Sequence, residues 1–341
     1  MEYKSATLSK YGGKVEVTTS QLTNVLKKDE VLVKVMCATI HPSDLNFLQG
    51  MYGYPRPEKF PMTPGFEGSG IIHKVADNLD QKLVGKKVCI TADPNTTKNS
   101  NFQGVWTQFY LTNINFVIIF DFDVDFEKIC FSFVNPLTVC GFIDTYYKNG
   151  GKAIIQNGAS SALGKMLIKS CVKEGIEIIN IVRNESHFEG LKKIGAKHLI
   201  STSNPKWTQE LRVLSSQLKA NIFFDCVGGD MTGKFFANIP DGSILYHYGN
   251  LEMKRIGGVD SSELLFKRKV MRGWWLTYWM RGITLEELKK WKSYVIDDFK
   301  FNRNIFFTNY SKVYQLEQVQ QAIEYYMANM SEGKVIIKPN F

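Results

Sequence analysis

The chain has 341 residues, 44% of them hydrophobic and 22% charged, with a formal net charge of +9. That length exceeds one ordinary domain and leads to an expectation of two folded globular domains. The basic residues are dispersed, with only short clusters at Lys267, Arg268, Lys269 and at Lys289, Lys290, so the charge suits anionic small partners better than a nucleic acid.

Residues 1 to about 120 alternate short β-rich runs, at Glu30 to Ala38, Gly70 to Val75, Lys86 to Thr91 and Trp106 to Leu111, with Gly, Pro and Asn turns, which predicts a barrel-like β domain. The longest apolar stretches, such as FVIIF at Phe116 to Phe120, fall far short of the roughly 18 residues that suggest a membrane span. The N-terminus shows neither an apolar signal core nor an Arg-rich leader, which argues against secretion. From about Asp125 the period changes. Phe126 to Asn149 reads as one helix, and Lys152 to Gln156 as a short buried strand. Gly164 to Gly175 reads as helix and Ile176 to Val182 as a second strand, an order that implies a parallel sheet. Phe188 to Gly195 and Trp207 to Leu218 read as further helices, with Lys197 to Ser201, Asn221 to Cys226 and Ser243 to Tyr248 as strands. Leu285 to Phe299 and Leu316 to Met330 read as amphipathic helices before a terminal strand at Lys334 to Lys338.

The stretch from Ile40 to Gly70, IHPSDLNFLQGMYGYPRPEKFPMTPGFEGSG, sets Tyr52 among Gly and Pro turns instead of on an apolar periodic face, as in a loop that carries chemistry. The six cysteines are scattered, with no C-x-x-C pair, and read as small core residues. His41, His73, His187, His198 and His247 read as ordinary satisfied histidines.

After the strand AIIQ comes NGASSALGK and then a helix. A small-residue turn of this kind lets the backbone approach a pyrophosphate whose charge sits against the helix N-terminus, although only Gly158 and Gly164 of the usual glycines are present. At the end of the second strand an NAD enzyme places a carboxylate on the ribose; here the order is Ile181, Val182, Arg183. A guanidinium there suits a 2′-phosphate, so NADPH is expected over NADH.

These segments resemble the medium-chain dehydrogenase/reductase superfamily, whose zinc members carry a Cys where this chain has His41 and a His where it has Phe66. A phenyl ring cannot coordinate, so no catalytic zinc is expected. Within the superfamily the chain is similar to the mitochondrial trans-2-enoyl-CoA/ACP reductase branch. The similarity runs through IHPSDLNFLQGMY, FVNPLTV, IIQNGASSALGK, INIVR, DCVGG, FKRKVMRGWWLTYW and SEGKVIIK. The resemblance implies an α/β fold with a GroES-like β-barrel-type catalytic domain over 1–122 and 304–341. It implies a Rossmann doubly wound parallel sheet domain over 123–303. Carried over residue by residue, it makes Tyr52 the proton donor and puts Asn135 and Thr138 near the nicotinamide. It assigns Ser160, Ser161, Ala162, Leu163 and Gly164 to the pyrophosphate and Arg183 to the 2′-phosphate. Tyr248, Gly249, Asn250 and Leu251 would line the nicotinamide side, with Trp274, Trp275, Leu276, Thr277 and Lys334 closing the cleft. Glu185, where the family often has a second Arg, and Phe66, where it has a small polar residue, depart from the pattern.

The implied activity is NADPH-dependent reduction of a trans-2-enoyl thioester of CoA or acyl carrier protein in fatty-acid synthesis. Hydride adds to the β-carbon, and the resulting enolate needs a hydrogen-bond donor at oxygen and a proton at the α-carbon. A tyrosine hydroxyl with an ordinary pKa near 10 is loaded for both at neutral pH. Two other readings stand beside it: quinone reduction on the same zinc-free scaffold, and an accessory subunit of a larger assembly that has lost turnover. The resemblance also implies a homodimer and a mitochondrial location, with the cytoplasm as the alternative.

Overall fold

The computed structural model describes residues 2–22, 25–53, 56–92, 102–330 and 332–340. Two compact units emerge, Met1–Val134 with Lys292–Phe341, and Asn135–Trp291. The sequence reading set these borders at 122/123 and 303/304. Side chains explain the difference: Cys130 and Phe131 pack with Cys37 and Ile336, and Lys292 donates to the carbonyls of Asn115 and Val117.

The first unit opens with an antiparallel hairpin, β1 (Glu2–Leu8) and β2 (Val15–Gln21). There follow β3 (Glu30–Thr39), α1 (Pro42–Leu48), β4 (Glu67–Val75), β5 (Lys87–Thr91), β6 (Phe109–Asn113), β7 (Val117–Phe120) and the short α2 (Phe126–Ile129). Strands β3 and β4 place valines and isoleucines on one buried face.

The single helix expected over 126–149 is broken. After α2 the chain turns at Cys130–Phe133 and restarts as α3 (Val134–Lys148). The buried Glu67 carboxylate accepts the N–H groups of Phe133 (2.5 Å) and Val134 (2.8 Å), which takes both donors out of any continuous helix. Pro136 sits in the first turn, where its missing N–H is harmless.

The second unit alternates strand and helix: β8 (Ile154–Gln156), α4 (Ala162–Glu174), β9 (Ile178–Val182), α5 (Phe188–Lys192), β10 (His198–Ser201), α6 (Trp207–Gln217) and β11 (Ile222–Asp225). It continues through α7 (Gly229–Ala237), β12 (Ile244–His247), α8 (Ser261–Leu265), β13 (Val270–Gly273) and α9 (Leu276–Gly282), and α10 (Leu285–Lys300) begins in it and passes into the first unit at Lys292. The six strands form one parallel sheet in the order β10-β9-β8-β11-β12-β13. The doubly wound parallel sheet is thus present, with its order reversing between β8 and β11, where such sheets bind ligands. Every residue of β9 and β11 is buried, as a strand covered on both faces requires.

Helix α7 and strand β13 were not foreseen. Two glycines, Gly229 and Gly233, lower the helix propensity of α7, yet a Cβ on Gly233 would lie 2.2 Å from the Gly257 carbonyl oxygen. Strand β13 is short and mostly exposed. The first unit then adds β14 (Tyr310–Gln315), α11 (Val319–Ala328) and β15 (Lys334–Lys338). These complete a seven-stranded sheet ordered β14-β15-β3-β4-β5-β7, with β6 paired to β3.

Candidate active site

In the first unit, four ionisable residues from distant parts of the sequence meet in the core. His41, Asp44, Glu67 and Lys334 are 3%, 0%, 0% and 6% exposed. Lys334 Nζ lies 2.9 Å from His41 Nδ1, and His41 Nε2 lies 2.5 Å from Glu67 Oε2. An ammonium has only donors, so Nδ1 must accept; Nε2 therefore carries the hydrogen and donates to Glu67. Burial, and then the Lys334 charge, push the His41 pKa down, which fits a neutral imidazole between an ammonium and a carboxylate.

Asp44 extends the network. Its Oδ2 accepts the N–H of His41 at 2.6 Å and its Oδ1 that of Phe66 at 3.0 Å, clamping the two positions at which zinc relatives carry ligands. A zinc ion does not fit these residues: the imidazole is committed on both nitrogens, one of them to a cation, and Phe66 offers a ring. Among the described residues there is no group of three or more His, Cys, Asp and Glu side chains suited to a metal ion.

Burial pushes the Asp44 pKa up to about 7, against the N–H groups of His41 and Phe66 and the charge of Lys334. A carboxyl with a raised folded pKa contributes stability below its unfolded value of about 4 and loses it as pH rises through the folded value. The unfolding free energy of Asp44→Asn, followed by urea titration, is therefore expected to fall less steeply than that of the parent between pH 4 and about 7. An unchanged slope refutes the assignment.

Tyr52 follows α1 on a turn bracketed by Gly50 (φ 71°) and Gly53 (φ 85°). A Cβ on Gly50 would meet the Tyr11 ring at 2.9 Å, so glycine is required there by both backbone and space. The turn is anchored by Gly50 N–H to Phe47 O, by Met51 N–H to Asn46 O and by Arg56 Nη1 donating to the Gly50 carbonyl. The half-buried Tyr52 ring packs on Phe66 at 4.9 Å between centroids, at the margin of a cluster that includes Phe47 and Phe102. Phe66 thus supports Tyr52. Lys334, expected beside a cofactor, lies instead in the buried network with His41.

In the second unit, Asn157 to Gly164 connect β8 to α4. Gly158 has φ 61°, and a Cβ on Gly164 would lie 2.6 Å from the Gly158 carbonyl oxygen, so these two glycines make the tight approach of turn and helix possible. Ser161 is the N-cap of α4, its Oγ accepting the N–H of Gly164 at 3.0 Å. That hydroxyl is spent on the helix, whereas Ser160, Ala162 and Leu163 are half-buried at its start. Arg183 follows β9 directly and is exposed. Among the described residues its guanidinium makes no ion pair, with Glu185 or any other carboxylate. An uncommitted planar cation at that strand end matches a phosphate partner.

Asn135 and Thr138 lie one turn apart in the first half of α3, half-buried and buried respectively. Tyr248 stacks edge-on against Phe142, and burial raises its pKa well above the ordinary value. Gly249, Asn250 and Leu251 follow in a turn tied to β11 by Leu251 N–H to Cys226 O. Trp274, expected to line a cleft, packs its indole on α3: Nε1 donates to Thr145 Oγ1 at 3.1 Å, and a Cβ on Gly141 would lie 2.5 Å from the ring. Trp275 and Leu276 are half-buried and Thr277 buried at the start of α9. Sequence reasoning missed Asp225 and its partners. Fully buried, Asp225 accepts from His247 Nδ1 (2.7 Å), Thr232 Oγ1 (2.7 Å), the Val227 N–H (3.1 Å) and Asn157 Nδ2. Burial alone would raise its pKa, but the hydrogen bonds from His247, Thr232 and Asn157 outweigh it and hold the carboxyl below its usual range.

A β unit built from both ends of the chain, enclosing in sequence a parallel six-stranded unit with a glycine turn before its first helix, defines a two-domain oxidoreductase scaffold. The alcohol dehydrogenase GroES-like domain model matches residues 27–117, and the zinc-binding dehydrogenase model matches residues 162–290. The chain belongs to the medium-chain dehydrogenase/reductase superfamily and is enoyl-reductase-like within it. It is 27% identical over 276 residues to the mitochondrial enoyl-[acyl-carrier-protein] reductase of Arabidopsis thaliana, covering 80% of this chain and 71% of that protein. The structure of a candidate NADPH:quinone reductase from Mesorhizobium loti aligns with TM-score 0.84 and 27% identity, over 99% of this chain and 98% of that one. The mitochondrial 2-enoyl thioester reductase Etr1p/Etr2p heterodimer from Candida tropicalis shares the fold at TM-score 0.81 and 20% identity, over 99% of this chain and 100% of the other.

Proposed function

We propose that the protein reduces trans-2-enoyl thioesters with NADPH, the acyl group being carried on CoA or acyl carrier protein, as a step of fatty-acid synthesis. The observation that carries this reading is Tyr52, set on a glycine-bracketed turn and braced by Phe66. NADPH, when bound, supplies the hydride that adds to the β-carbon. The Tyr52 hydroxyl donates a hydrogen bond to the thioester oxygen as negative charge develops there, and its proton then goes to the α-carbon. The N-terminus of α4 and the turn at Gly158 and Gly164 would hold the pyrophosphate, and Arg183 the 2′-phosphate. The curated relatives are named mitochondrial, and we place this protein there with them. We further propose that it works as a homodimer; membership of a larger assembly is the other arrangement.

Loss of NADPH absorbance on adding a trans-2-enoyl-CoA to purified protein tests the reading; no oxidation by folded protein refutes it and leaves the accessory-subunit reading. The likeness to the Mesorhizobium loti protein favours quinone reduction as the second reading. A quinone consumed with NADPH while enoyl-CoA is not would establish that one. Arg183→Ala is expected to weaken NADPH binding by about tenfold or more, the loss of a charge-assisted hydrogen bond, and to leave NADH binding unchanged. Titration of cofactor fluorescence with both nucleotides checks it; an equal effect on both rejects the 2′-phosphate assignment.

A further inference from the structure

His247 ends β12 beside Asp225 at the end of β11, the two facing each other in register at the C-terminal edge of the parallel sheet. The buried carboxylate takes the Nδ1 hydrogen at 2.7 Å, which in the neutral ring leaves the lone pair on Nε2. Among the described residues Nε2 has no hydrogen-bond partner, and the side chain is 22% exposed. The same carboxylate holds Asn157, the residue immediately before Gly158, and Asn157 Oδ1 accepts the N–H of Cys226 at 2.8 Å. One buried anion therefore joins the glycine turn, the end of β11 and the end of β12. A carboxylate so buried is costly unless each oxygen is satisfied; here four donors satisfy it, one of them an imidazole whose other nitrogen has no partner among the described residues.

The sheet order decides what that edge would meet. The glycine turn follows β8, and Arg183 follows β9 on one side of it. β11 and β12 lie on the other side, across the point where the order reverses. A dinucleotide with its pyrophosphate at α4 and its 2′-phosphate at Arg183 must send its nicotinamide half over the ends of β11 and β12.

We infer that His247, oriented by Asp225, is a cofactor-contacting residue whose Nε2 accepts a hydrogen bond from a donor of the nicotinamide half, a ribose hydroxyl or the carboxamide N–H. The inference rests on the NADPH reading above. It separates the two halves of the cofactor, because 2′,5′-ADP carries the adenosine half alone.

The test compares binding of NADPH and 2′,5′-ADP to the full chain, to His247→Leu, which fills the space without an acceptor, and to His247→Gln, which keeps one. The expected result is a loss of NADPH affinity in His247→Leu on the order of fivefold to tenfold, the value of one hydrogen bond, with 2′,5′-ADP affinity unchanged and NADPH affinity recovered in His247→Gln. The 3-acetylpyridine analogue of NADPH lacks the amide N–H: a loss that persists with it assigns the ribose, and a loss that vanishes assigns the carboxamide. Equal NADPH affinity in parent and His247→Leu overturns the inference, as does an equal loss of both ligands, which marks a merely structural histidine. Failure of the unaltered protein to bind either ligand overturns the cofactor reading itself.

Discussion

Lys334→Met is expected to lower the unfolding free energy by about 3–5 kcal/mol, the range found when one partner of a buried ion pair is removed. The ammonium is the cation that faces His41 and, through it, the Glu67 carboxylate, and these groups are too buried for solvent to replace it. Without it the imidazole loses its Nδ1 donor, and the Glu67 carboxyl, still held by the start of α3, loses the nearby cation. The second variant makes the cause visible: Lys334→Met combined with Glu67→Gln removes both charges and should recover part of the loss. A double variant as unstable as the sum of the two single changes would show that the charges are not coupled. The pH response has a defined sign. Burial draws the Lys334 pKa down to about 8, so its contribution is present above the unfolded value, about 10.4, and is lost as pH falls through about 8. Lys334→Met should flatten that alkaline rise, read by chemical denaturation in the same series of buffers.

Tyr52→Phe is expected to reduce kcat/KM for a trans-2-enoyl-CoA by about 10²–10⁴, the usual contribution of a positioned general acid. The substitution deletes one oxygen and keeps the ring that packs on Phe66, so the turn and the fold are expected to persist. Binding of NADPH should be unaltered, since the residues proposed to hold it lie in the other unit. Steady-state rates with enoyl-CoA, measured beside NADPH titration and a melting curve, check all three. Retained turnover with enoyl-CoA removes Tyr52 as the acid. Quinone turnover, which has no need of this proton donor, should survive in the variant.

What was legible in the residues follows the range of the interactions involved. Strands such as β9 and β15 announce themselves as short apolar runs, and α4 by its glycine turn and amphipathic face, because each is specified within about a dozen residues. The break between α2 and α3 is set by Glu67, 66 residues before Phe133, and no periodicity within the helix records it. The same holds for the central network, in which Lys334 and His41 are 293 positions apart. His247 looked like any satisfied histidine; the signal that bears on it was the acid of DCVGG, since polar residues ending two neighbouring apolar strands fall side by side in a parallel sheet. Trp274 shows the converse. A Trp-rich segment suggested a cleft lining, and the indole closes instead on the space left by Gly141.

Strand β15 lies between β14 and β3 in the sheet of the first unit. A ribosome therefore delivers an interior strand of that sheet after every other strand in it. The second unit is continuous in sequence and has all of its strands as soon as residue 273 has been made. The first cannot close until residues 334–338 arrive, and until then the Ala38–Thr39 end of β3 presents an unsatisfied edge and His41 lacks its cation. Non-local pairing of this kind is slow and leaves a sticky intermediate. Deletion of residues 334–338 would thus be felt in nascent-chain survival before it was felt in any rate of reaction.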